Sequence, residues 1–164
     1  MTYKIAIIGG TGREGKGLAY RWAQAGHQIL IGSRSREKAL GAVSELLEML
    51  HGEGDIEGMT NAEAVSRASI AVLTVPYAAH KETLIGLKDE LAGKILIDVV
   101  VPLVPPKVTK VQMPEEGSAA LQAKAILGED TQVVDAFQTI SYERLLSGED
   151  IECDVLVCGG NKEA

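Results

Sequence analysis

Gly10, Gly12 and Gly15 stand in the spacing G-x-G-x-x-G within the stretch Gly9-Gly10-Thr11-Gly12-Arg13-Glu14-Gly15-Lys16-Gly17. Five glycines in nine residues mark backbone that something must approach closely. The spacing gains weight from its context, directly after the apolar run Lys4–Ile8 and directly before an amphipathic stretch. In a strand–turn–helix unit Gly10 permits the tight turn, Gly12 lets the backbone touch a pyrophosphate, and Gly15 lets helix and strand pack closely. The helix start offers unpaired N–H groups and a positive dipole end to phosphates, with Arg13 and Lys16 helping to offset their charge. A P-loop is excluded, because Lys16 is followed by Gly17 rather than Ser or Thr. The competing reading is a structural glycine-rich turn with no ligand.

The second strand decides which dinucleotide fits. Versions that bind NAD carry an acid about 20 positions on, which accepts from the adenosine ribose. Here Gln28–Ile31 runs into Gly32-Ser33-Arg34-Ser35-Arg36, and no acid appears until Glu37. Ser33 and Arg34 can donate to a 2′-phosphate, and Arg34 can also lie over the adenine. Lys38 follows one helical turn after Arg34 on the same face. Basic residues are unfavourable at a helix start, which favours NADP over a merely solvated basic turn.

Elements must hold these residues in place. At 164 residues with 46% hydrophobic and only 4% aromatic content, the chain suits one domain, residues 1–164, with an aliphatic core. Leu18, Trp22 and Ala25 form the stripe of a first helix closing at Gly26. Ser35 can cap a second helix carrying Leu40, Val43, Leu47 and Leu50 on one face. An edge strand near Ile56, a helix over 61–68 capped by Asn61, and a strand over 70–75 follow. Further on, a helix over 80–91 and a strand over 94–99 precede a helix over 117–127 and a strand over 132–136. A short helix over 141–146 and a strand over 154–158 complete the pattern. The alternation predicts an α/β, Rossmann-like doubly wound, mostly parallel sheet with helices on both faces.

The net charge of −7 is unevenly placed, since residues 1–38 carry +5 and the remainder −12. An acidic chain with a basic corner suits one small polyanion and makes a poor nucleic-acid binder. No apolar stretch is long enough to span a membrane, and a cytoplasmic location is the expectation. Cys153 and Cys158 read as reduced, mostly buried thiols on opposite faces of a strand, with no zinc set around them. His27, His51 and His80 stand alone, and no catalytic triad or metal cluster is legible.

Several blocks together resemble the NADPH-dependent oxidoreductases of coenzyme F420, an 8-hydroxy-5-deazaflavin. They are GGTG-x-x-GKG after the first strand, GSR after the second, VLTVP at the fourth and ID-x-x-x-PL at the fifth. Ala136-Phe137-Gln138-Thr139-Ile140 and Val155–Gly159 extend the likeness over nearly the whole chain. The resemblance implies that Gly10, Thr11, Gly12, Arg13 and Glu14 line the pyrophosphate, and that Ser33, Arg34 and Lys38 hold the 2′-phosphate. It implies that Val75, Pro76 and Tyr77 border the nicotinamide half. Pro102, Leu103, Gln138 and Ile140 would form the shelf on which the deazaflavin lies. Hydride would pass directly between the two rings, so the protein's task is to position them and exclude water, without a catalytic acid or base.

The family continues past the last strand into a helical segment that contributes to a homodimer and closes over the deazaflavin, and Ala164 lies where that segment should begin. Two other readings stay open. One is an NADP(H)-binding module, or truncated reductase domain, without independent turnover. The other is the NADP-binding domain of a β-hydroxyacid or imine dehydrogenase, whose catalytic residues sit on an all-helical second domain.

Overall fold

In the computed structural model, which describes residues 1–104, 106, 110–162 and 164, one seven-stranded sheet runs in the order β3-β2-β1-β4-β5-β6-β7. The strands are β1 (Lys4–Ile8), β2 (Gln28–Ser33), β3 (Ile56–Thr60), β4 (Ile70–Leu73), β5 (Ile95–Asp98), β6 (Gln132–Asp135) and β7 (Cys158–Gly159). All pairings are parallel except β6 with β7. The chain winds one way from β1 through β3 and the other way from β4 through β6. A crevice therefore opens beyond the carboxyl ends of β1 and β4, where the strand order reverses.

Helices cover both faces. Helices α1 (Arg13–Gln24), α2 (Arg36–Met49) and α7 (Tyr142–Leu146) bury Leu18, Ala39, Leu46 and Leu145 against Ile5, Ile7, Ile29 and Ile31. On the other face lie α3 (Asn61–Ser66), α4 (Tyr77–Gly86), α5 (Lys88–Leu91) and α6 (Ala119–Leu127). They bury Val65, Leu84, Leu91 and Ala123 against Ala6, Ile8, Leu73 and Leu96. Alternate β1 residues thus serve opposite cores, as a two-residue side-chain period demands.

Several local expectations are corrected. The buried residues of α1 are Gly15, Gly17, Leu18, Ala19, Tyr20 and Ala23, while Trp22 packs half-buried against the same core and Ala25 is exposed. On α2 the core face is Ala39, Ala42 and Leu46, and Leu40 is 51% exposed. The cap of α3 is Thr60, which forms a capping box with Glu63. Asn61 instead accepts a hydrogen bond from the Gly9 N–H at 3.2 Å. The region 154–158 is not a full strand, because only Cys158 and Gly159 join the sheet and they do so antiparallel to β6. Both cysteines are exposed.

Candidate functional site

A cavity of about 680 Å³ opens at the crevice. Its floor is the glycine turn. Gly9 has φ +74, so the left-handed turn residue leaving β1 is Gly9 rather than Gly10. A Cβ on Gly15 would come within 2.7 Å of Thr74 Oγ1 and 2.8 Å of Gly10 Cα. Helix α1 thereby presses its first turn onto the strand, with no room for a methyl group. Thr11, Gly12, Arg13 and Glu14 border the cavity, whereas Gly10 and Gly15 do not.

The tip of β2 forms one wall with Ser33, Arg34, Ser35 and Lys38. Ser33 Oγ accepts from the Ser35 N–H at 3.2 Å, and Ser35 Oγ caps α2 by accepting from the Lys38 N–H. The charges here are sorted. Arg36 donates to Glu63 at 2.9 Å, and Lys16 is turned away to Glu45 at 2.5 Å. Arg13 donates to the Tyr142 hydroxyl at 2.7 Å, with its guanidinium 5.2 Å from the centre of that ring. Among the described residues, Arg34 and Lys38 are the cavity cations without an ion-pair or hydrogen-bonding partner for their side chains. Lys16, expected to offset a ligand's charge, does not border the cavity.

The opposite wall comes from the end of β4 and from α4. Val75 and Pro76 line it, and so do Ala79, Glu82, Thr83 and Gly86. Glu82, Thr83 and Gly86 recur at helical spacing, so a face count along the expected helix over 80–91 would have revealed them, while Ala79 lies before that expected start because α4 begins at Tyr77. Asn61 and Thr74 also border the cavity, and neither carries a local sequence signal for it. Tyr77 does not line this cavity; its ring lies 5.9 Å from that of His80, against the opposite core.

The unpartnered Arg34 and Lys38, the helix start and the crevice position suit a phosphate-bearing molecule. Residues 4–102 match the family described as NADP oxidoreductase, coenzyme F420-dependent. The chain belongs to this family. It is 43% identical to an F420-dependent NADP reductase of Methanothermobacter thermautotrophicus, covering 100% of this chain and 73% of that protein. It is 40% identical to one of Methanocaldococcus jannaschii, covering 98% of this chain and 74% of that relative. Among solved structures, one from Arthrobacter sp. assigned as an F420-dependent NADP-reductase superposes with a TM-score of 0.80. At 23% identity, over 98% of this chain and 75% of that one, it establishes the shared fold.

The four residues expected on the second-ring shelf of this family do not border the cavity. Pro102 is buried, Leu103 is 39% exposed, and Ile140 packs against the α1–α2 core. Gln138 Nε2 donates to the Asp98 carbonyl oxygen at 2.9 Å and also to Asp135 Oδ1. Burial, and then the neighbouring Asp98, push the Asp135 carboxyl above its ordinary range. His80 is not solitary as expected, for its Nε2 lies 2.8 Å from Asp98 Oδ2 in a fully buried pair.

Proposed function

We propose that this chain is an NADP-dependent oxidoreductase that transfers hydride between NADP(H) and coenzyme F420. Membership of the family supports this reading, and the unpartnered Arg34 and Lys38 beside Ser33 carry it. A site built for the unphosphorylated dinucleotide would place an acid there.

In this reading Ser33, Arg34 and Lys38 bind the 2′-phosphate, Arg34 through a charge-assisted pair and a face laid along the adenine. Gly10, Thr11, Gly12, Arg13, Glu14 and Gly15 form the turn that receives the pyrophosphate, chiefly through backbone N–H groups. Val75, Pro76 and Tyr77 lie at the nicotinamide half, and Pro102, Leu103, Gln138 and Ile140 at the deazaflavin. Because both interactions of the Gln138 amide nitrogen are internal, that residue serves the shelf by its shape and its carbonyl oxygen. The bound pair of rings supplies the hydride chemistry, while the protein holds them face to face and keeps water out. The same reading carries a homodimer and a cytoplasmic location, and assigns no role to nucleic acid.

The test is to mix the chain with NADPH and oxidised F420 and follow the loss of deazaflavin absorbance. Turnover supports the reading. Tight NADPH binding without that loss overturns it in favour of a binding module.

A further inference from the structure

In the reading above, residues 75–77 border the nicotinamide, and residues 102–103 and 138–140 carry the deazaflavin. The three segments follow different strands, yet each is tied to Asp98 at the carboxyl end of β5. Asp98 Oδ2 lies 2.8 Å from Nε2 of His80, in the first turn of α4, whose ring is 5.9 Å from that of Tyr77. Asp98 Oδ1 accepts from the Val100 N–H at 3.0 Å, two residues before Pro102. The Asp98 carbonyl oxygen accepts from Gln138 Nε2 at 2.9 Å and from the Ala136 N–H at 3.3 Å.

No solvent reaches the Asp98 or His80 side chain, and the core on this face of the sheet holds Leu73, Leu84 and Leu96. Apolar side chains of like volume would serve stability there as well. What they would not supply is direction. A hydrogen bond fixes distance and angle, whereas aliphatic cores repack with little penalty. His80 Nδ1 is buried without a partner, so among the described residues Asp98 is the one hydrogen-bonding hold on this ring. Neither His80 nor Asp98 borders the cavity, so the pair acts on a ligand only through the segments it ties.

Hydride passes directly between two ring carbons, and a displacement of about 1 Å can cost about a hundredfold in rate. We propose that Asp98, together with His80, is a positioning residue that sets the spacing of nicotinamide and deazaflavin by holding all three segments to the end of β5. The inference rests on the hydride-transfer reading above and adds which buried residues set its geometry. The 2′-phosphate is assigned to other residues, Arg34 and Lys38, so the pair governs transfer rate and leaves nucleotide affinity alone.

The test is a single turnover, in which NADPH-loaded protein is mixed with oxidised F420 and the loss of deazaflavin absorbance is followed. Rates are taken per NADPH-binding site, counted by fluorescence titration. His80→Leu removes the bond to Asp98 and keeps an apolar side chain in its place, while His80→Gln restores an N–H donor at similar reach. Val65→Ala truncates the same core without touching Asp98 or His80 hydrogen bonds, and controls for lost stability. His80→Leu should keep NADPH affinity within about threefold of wild type, yet transfer hydride about ten- to a hundredfold more slowly. His80→Gln should recover most of that rate, and Val65→Ala should transfer at the wild-type rate. If His80→Leu does not fold, His80→Met, with a more adaptable side chain, carries the same expectation. A wild-type rate without the His80–Asp98 bond, a loss that His80→Gln does not reverse, or an equal loss in Val65→Ala overturns this proposal and leaves the hydride-transfer reading standing. No transfer by wild type overturns both.

Discussion

His80 Nε2 sits 2.8 Å from Asp98 Oδ2, with neither side chain reached by solvent. The pair joins α4, whose other face walls the cavity, to the carboxyl end of β5. Asp98 Oδ1 in turn accepts from the Val100 N–H at 3.0 Å. Removing the imidazole leaves a buried carboxyl with its strongest partner gone. His80→Ala leaves Asp98 Oδ2 without this hydrogen-bond partner and is expected to lose about 1–3 kcal/mol in urea unfolding. The His80→Ala/Asp98→Ala double variant should lose less than the sum of the single changes. Additive losses would show that the two residues do not act as a pair.

Arg34→Ala removes an unpartnered cavity cation. NADP affinity should fall about ten- to a hundredfold, the equivalent of roughly 1.5–3 kcal/mol, while NAD affinity barely changes. Fluorescence titration with both dinucleotides decides the matter, and an equal loss for the two would remove Arg34 from the 2′-phosphate site.

Arg36→Ala and Lys16→Ala are the matched controls. Both residues are basic and close in sequence to the site, but Glu63 and Glu45 already engage them. Exposed pairs of this kind contribute little to stability. NADP affinity in either variant should stay within about threefold of wild type, and a loss as large as that of Arg34→Ala would contradict the sorting of charges.

Asp135 sets a pH dependence of stability. Its carboxyl is raised above the ordinary range first by burial and then by Asp98, with the Gln138 hydrogen bond opposing. The folded chain therefore holds this proton more tightly than the unfolded chain does. Stability is lost as pH climbs from the unfolded carboxylate range through the higher folded value. Asp135→Asn retains an acceptor for Gln138 and removes that slope. Thermal melts between about pH 4 and pH 7 should show the variant gaining on wild type as pH rises, and parallel melting curves would refute the assignment.

The β1–α1–β2 unit and its glycine turn were legible because glycine spacing, apolar runs and the basic strand tip all act locally. The face of α2 was not. Counting large apolar residues favours Leu40, yet small Ala39 and Ala42 face the sheet, and a Cβ on Gly58 would meet the Ala39 carbonyl carbon at 2.9 Å. Close approach selects small side chains, and hydrophobic periodicity weights these too lightly. The His80–Asp98 pair spans 18 residues and leaves no periodic trace, so only the packing of α4 on β5 reveals it. The fates of Lys16 and Arg36 were hidden for the same reason, since their partners lie 29 and 27 residues away.

Every described residue that borders the cavity falls between Gly9 and Leu87. The lining of this cavity thus comes from roughly the first half of the polypeptide, and among the described residues the later half contributes no wall to it. This is a division of labour written along the chain. A change of second redox partner can therefore be sought in the segment after Leu87 without altering the lining of this cavity, provided Tyr142, which holds Arg13, and Leu145, which packs on Gly17, are kept.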